Sequence, residues 1–155
     1  LQTLSKAWGL AGLRIGAAFS NASVIQVLNK VKYPYNLNAL TIQSATRALA
    51  LSEKVQEKVG QIRTERQLLA TQLQGLDCVQ KVFPSDANFL LVQVKDADLL
   101  YTYLAAHNII VRNRSKEPHC KNCLRITVGT PEENRRLLEV MQVCKPECYS
   151  GIPSQ

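Results

Sequence analysis

"CLRITVGTPEENRRLLEVMQV", residues 123–143, changes its hydrophobic period from two to about 3.6 within a few residues. In its first half Leu124, Ile126 and Val128 fall on one side of a strand, and Arg125 and Thr127 on the other. In its second half Thr130 and Glu133 make the Thr-x-x-Glu pattern of a capping box, and Pro131 suits the first helical turn. A strand that runs straight into a capped helix specifies α/β packing. It also leaves one arginine on the strand face away from the apolar positions. If both faces are covered, Arg125 points into a cleft where an anion is expected.

The same alternation extends outward. Upstream, "IIVRNRS" aligns Ile110, Arg112 and Arg114, so either arginine could share that cleft, although Arg114 lies nearer a turn at residues 116–118. Before it, "VQKVF" and "NFLLVQV" read as strands and "ADLLYTYLAAHN" as a helix. The longest helical pattern runs from Ser52 to Leu76, with Val55, Ile62, Leu69 and Leu76 seven apart and Gly75 as its stop. These elements form a nearly self-contained α/β domain over residues 51–149, and residues 150–155 are expected to be an irregular tail.

Residues 1–50 read differently. "LRIGAAF" looks like a strand, and Asn21 can cap a helix whose Val24, Val27, Leu28 and Val31 make an apolar stripe ending before Pro34. Asn38 can cap a second helix through "ALTIQSATRALA". This stretch lacks the strands such helices need. It is expected to be the end of a larger domain, and the chain, which opens on Leu1, to be the C-terminal portion of a longer protein.

Of 155 residues 46% are hydrophobic, and nineteen Lys and Arg against twelve Asp and Glu give a net charge of +7, which favours anionic ligands. The cations are dispersed, with no basic block and no aromatic RNA-binding motif, so no nucleic-acid partner is expected. No stretch reaches membrane-spanning length, and a cytoplasmic location is expected. Five cysteines suit reduced thiols better than a disulfide framework. The spacing of Cys120, Cys123, Cys144 and Cys148 leaves a zinc-stabilised binding module as an alternative, although packing in a strand and at a helix end accounts for Cys123 and Cys144. The principal expectation is no metal.

Near the N-terminus, "TLSKAWGLAGLRIG", residues 3–16, places Lys6 and Arg14 among apolar residues. A desolvated lysine can react as a neutral amine with an aldehyde. Arg14, read as entering a strand, needs an acceptor for its fork of donors, either a phosphate or carboxylate of a ligand or an internal acid. Ser5 adds a hydroxyl and Gly12 an open backbone approach. His107 near a helix end and His119 in a polar loop suit structural or solvent roles.

Together, "TLSKAWGLAGLRIG", "PYNLN", "ANFLLV", "VRNRS" and "CLRITVGT" resemble, in order and spacing, the fold-type I pyridoxal-phosphate aminotransferases, and most of all the histidinol-phosphate aminotransferase family. The resemblance implies an α/β fold comprising the end of the large cofactor domain and a small domain of helices packed on a short sheet. It implies transamination of histidinol phosphate with 2-oxoglutarate in histidine biosynthesis, by a homodimer using pyridoxal 5'-phosphate. Lys6 is then the catalytic lysine that bonds the cofactor's aldehyde carbon, and Ser5 and Arg14 bind its phosphate. Arg125 grips the substrate anion with Arg112 assisting, and Asn88 and Tyr35 lie near the cleft or the subunit interface. Related phosphoamino-acid decarboxylases and aromatic aminotransferases share much of the pattern. The other cofactor contacts belong to an N-terminal half that this chain lacks, so the chain alone is expected neither to hold the cofactor well nor to turn over.

Overall fold

The computed structural model describes residues 1–144. Backbone contacts divide the chain into two compact units, one covering Leu1–Val59 and one from Gly60 onward.

In the first unit, β1 (Gln2–Thr3) and β2 (Gly16–Ala17) pair antiparallel with Gln2 opposite Ala17 and Thr3 opposite Gly16. Glycine is needed at the second position because a Cβ on Gly16 would lie 2.9 Å from the Gln2 carbonyl oxygen. Helices α1 (Ala22–Val31) and α2 (Ala39–Leu49) start where the sequence says they should. Asn21 Oδ1 accepts from the Val24 amide at 3.1 Å, and Asn38 Oδ1 from the Thr41 amide at 2.8 Å, each satisfying a donor that the first helical turn leaves unpaired. The apolar stripe of α1 is not buried, however. Val24, Val27, Leu28 and Val31 are all exposed, Val31 by 75%.

Helix α3 (Ser52–Gln74) carries the chain into the second unit. Only its C-terminal half docks, through Leu69 and Leu73, and it stops at Gly75, whose amide closes a turn onto the Gln72 carbonyl. A four-stranded antiparallel sheet follows in the order β3 (Val79–Val82), β4 (Phe89–Val94), β6 (Cys123–Thr127), β5 (Arg112–Asn113). Two helices, α4 (Ala97–Ala106) and α5 (Pro131–Val143), interleave with the strands. Leu90, Val92, Val94, Leu124 and Ile126 from one sheet face join Leu100 and Leu104 of α4, Leu137 and Met141 of α5, and the two α3 leucines in one core. Each such side chain contributes about 1.5–3 kcal/mol by leaving water, and the strand period of two decides which residues take part.

Helix α5 begins on the capping box expected from its sequence. The Glu133 amide donates to Thr130 Oγ1, and the Thr130 amide donates to Glu133 Oε2 at 2.8 Å. Just inside it, Asn134 is 5% exposed and bonded on every side. Its Oδ1 accepts from the Gly129 amide, and its Nδ2 donates to the Gly129 carbonyl and to Glu65 Oε2 of α3. The end of β6, the start of α5 and the middle of α3 are thereby tied at one buried amide.

Two sequence expectations are corrected. "LRIGAAF" is not a strand through its length, because only Gly16 and Ala17 find a pairing partner. In "IIVRNR" the strand is short: only Arg112 and Asn113 stand in register with β6, opposite Arg125 and Leu124.

Candidate active site

The segment 3–16 folds as a closed loop on the β1–β2 hairpin. The Leu4 amide donates to the Ile15 carbonyl at 3.3 Å, the Leu10 amide returns to the Leu4 carbonyl at 3.0 Å, and the Gly9 amide turns back on the Lys6 carbonyl at 2.9 Å. Ser5 and Arg14 therefore stand at the neck of the loop, each next to a residue of the closing pair, and Lys6 follows directly. The neck is further set by the Ser5 amide, which donates to Thr3 Oγ1 at 3.1 Å.

Two details differ from the sequence reading. Lys6 is exposed rather than enclosed by its apolar neighbours. Arg14 does not enter a strand. It ends a short 3-10 turn at Ala11–Leu13 in the left-handed conformation, with φ of 53°, and its Nη1 donates to the Ala11 carbonyl at 3.0 Å. The rest of its exposed guanidinium is available to an anion at the loop neck. Gly9 also has positive φ, and neither Gly9 nor Gly12 has a neighbour within 4 Å of where a Cβ would stand, which leaves room beside the loop backbone. An amine, a hydroxyl and a guanidinium on one loop are the donor set that a phosphorylated aldehyde cofactor requires.

In the second unit the β register decides where the two candidate arginines stand. Arg125 of β6 lies opposite Leu91 of β4 on one side and Arg112 of β5 on the other. Residues directly opposite share a face, so both guanidinium groups belong to the sheet face away from the core. Arg125 is half-buried and Arg112 exposed. The Arg125 guanidinium carbon stands 4.9 Å from the centre of the Phe89 ring, and its Nε is buried without a hydrogen-bond partner. Two like charges in direct cross-strand register oppose folding unless an anion lies between them. Arg114 is separate, paired with Glu117 at 3.1 Å.

Asn88 is exposed, and its carbonyl accepts from the Val128 amide at 2.9 Å, extending the β4–β6 ladder beside Phe89. Tyr35 is 96% exposed in the link between α1 and α2. The sequence reading missed Phe89. Its position in "NFLLVQV", out of phase with Leu90 and Val92, signals the outer face, but its meeting with Arg125 depends on register. A cavity of about 370 Å³ opens near the start of α5, lined by Ile109, Ile126, Thr127, Asn134, Arg136 and others, and neither Arg112 nor Arg125 borders it. His107 ends α4, with Nδ1 2.8 Å from the Tyr103 carbonyl.

Of the four residues of the zinc alternative, Cys120, Cys123 and Cys144 are described. Among the described residues no three metal-binding side chains gather, Cys144 neighbours Cys78 rather than Cys120 and Cys123, and Cys148 lies outside the described residues, as does the tail expected at 150–155. No described helix is long and apolar enough to cross a membrane.

Residues 1–141 match the family model of aminotransferase class I and II. The chain belongs to that family. Among its relatives, a histidinol-phosphate aminotransferase of Parabacteroides distasonis is 50% identical over 145 residues, which are 94% of this chain and 42% of the relative. One from Flavobacterium psychrophilum is 46% identical over 91% of this chain and 40% of its own length. The chain thus spans about two fifths of the curated relatives it matches. Among solved structures, histidinol-phosphate aminotransferase from Sinorhizobium meliloti in complex with pyridoxal-5'-phosphate matches with a TM-score of 0.71 and 26% identity, covering 91% of this chain and 39% of that one. L-threonine-O-3-phosphate decarboxylase from Porphyromonas gingivalis matches with a TM-score of 0.77 and 27% identity, over 91% and 44%. The fold is accordingly the C-terminal part of a fold-type I aminotransferase, a mixed α/β arrangement with a small sheet.

Proposed function

We propose that this chain carries the lysine and the anion clamps of a pyridoxal-phosphate-dependent aminotransferase acting on histidinol phosphate, with 2-oxoglutarate as amino acceptor. The carrying observation is the arginine pair: Arg112 and Arg125 face each other across β5 and β6, and the Arg125 Nε is buried and unpartnered. Such a pair fits a dianionic phosphate ester or a dicarboxylate better than a neutral amine.

Pyridoxal phosphate, when bound, supplies an aldehyde carbon and an electron-accepting ring. The chain's own residues supply the rest. Lys6 Nζ offers the amine and, once released, takes and returns a proton at that nitrogen. Ser5 and Arg14, both at the loop neck, hold the cofactor phosphate. Arg125, braced on Phe89, fixes the substrate anion, and Arg112 assists from the neighbouring strand. Asn88 and Tyr35 line the approach or a homodimer interface. The exposed apolar stripe of α1, together with Phe19, Leu40 and Ile42, is surface that further protein covers in the assembled enzyme. Work in a soluble biosynthetic enzyme of the cytoplasm accords with this reading.

The test is a donor profile of the protein at its natural length. Glutamate should form from histidinol phosphate and 2-oxoglutarate. Carbon dioxide release from a phosphoamino acid, without glutamate, would replace this reading by the decarboxylase one, for which the Porphyromonas neighbour is the precedent.

A further inference from the structure

The described cysteines fall into two pairs, and one of them lies in a single tight turn. The Cys123 amide donates to the Cys120 carbonyl at 3.0 Å, closing a four-residue turn in which Asn122 takes a φ of 55°. A turn closed in this way holds its end Cα atoms less than about 7 Å apart, which overlaps the span of roughly 4.4–6.8 Å that a disulfide needs. Cys123 Sγ donates to the carbonyl of Lys121, which lies between the two cysteines, at 3.6 Å. The turn is anchored independently of its sulfurs. The Val94 amide donates to the Asn122 carbonyl at 2.9 Å, Asn122 Nδ2 donates to the Lys95 carbonyl at 3.1 Å, and the Arg114 amide donates to the Cys123 carbonyl at 2.8 Å.

We propose that Cys120 and Cys123 form a reversible dithiol–disulfide site at the start of β6, two residues before Arg125 on the same strand face. Cys120 is half-buried and reachable, whereas Cys123 is 1% exposed, so their roles are unequal. The oxidant class is a low-molecular-weight disulfide. The Cys120 thiolate attacks one of its sulfurs, forms a mixed disulfide and releases one small thiol. Cys123 then gives up its proton and its contact to Lys121, attacks the Cys120 sulfur and releases the second thiol. Two protein thiols are oxidised, one disulfide is reduced to two thiols, and electrons balance. Burial, and after it the neighbouring Cys120, pushes the Cys123 thiol up, so the second step speeds up in alkali.

Trypsin reads the result directly, because Lys121 lies between the two cysteines. The 155-residue chain is treated with oxidised glutathione, blocked with N-ethylmaleimide and digested without reduction. The expected product is peptide 117–121 joined to peptide 122–125, weighing about 2 Da less than the two free peptides together, and separated by dithiothreitol. The exposed-side variant Cys120→Ser should lose the joined product and return Cys123 as the maleimide adduct. Recovery of glutathione on Cys120 with Cys123 blocked separately, or a cross-link confined to Cys78 and Cys144, would overturn the proposal.

Discussion

Replacing Asn134 by alanine removes three side-chain hydrogen bonds from a position that is 5% exposed. The two bonds to Gly129 join neutral groups and contribute about 1 kcal/mol each, while the bond to the Glu65 carboxylate contributes about 2 kcal/mol. Water entering the vacated space offsets part of the loss, leaving a destabilisation of about 3 kcal/mol. For a unit of this size the melting temperature should fall on the order of 15 °C. Urea denaturation followed by far-ultraviolet circular dichroism measures the change, with the midpoint lowered and the slope unchanged. A double-mutant cycle with Glu65→Ala isolates the interhelical bond and should return a coupling of about 2 kcal/mol. A loss below about 1 kcal/mol for Asn134→Ala, or a coupling near zero, would refute the role given to this amide.

Other outcomes follow from single features. Thr130→Ala removes one arm of the capping box and should cost about 1 kcal/mol in the same denaturation experiment, with helix α5 still formed. Burial, with Cys144 adding to it, pushes the Cys78 thiol above its ordinary value of 9.0. Below that value folded and unfolded chains both keep the proton; above it the unfolded thiol ionises first, so stability falls as pH rises. Denaturation midpoints at pH 8 and pH 10 should therefore drop more in the native sequence than in Cys78→Ala. Mixed with pyridoxal phosphate, the 155-residue chain alone should show neither a stoichiometric visible absorbance band nor turnover, and either signal would contradict the assignment of the remaining cofactor contacts to protein outside it.

Helix starts were legible in the sequence because caps are local. Asn21, Asn38 and Thr130 with Glu133 each act over three residues, and each appears where the spacing places it. Strand extent was not legible. "LRIGAAF" and "IIVRNR" have strand composition, but a ladder ends where its partner ends, and the partners lie elsewhere in the chain. Arg14 shows the same limit at closer range: its apolar neighbours suggest extended backbone, yet the Leu13 and Arg14 amides bond back to Leu10 and Ala11 in a 3-10 turn that ends on Arg14 in the left-handed conformation. Alternation put Arg125 and Arg112 on candidate faces. Only register set them opposite each other and brought Phe89 to the Arg125 guanidinium.

The account stands most directly on Lys6. The protein at its natural length, loaded with pyridoxal phosphate and reduced with borohydride, should carry the cofactor mass on one tryptic peptide that ends at Arg14 and is left uncut at Lys6. Lys6→Ala should remove both that label and glutamate formation from histidinol phosphate. Label on other lysines with Lys6 unmodified, or turnover that survives Lys6→Ala, would contradict the account.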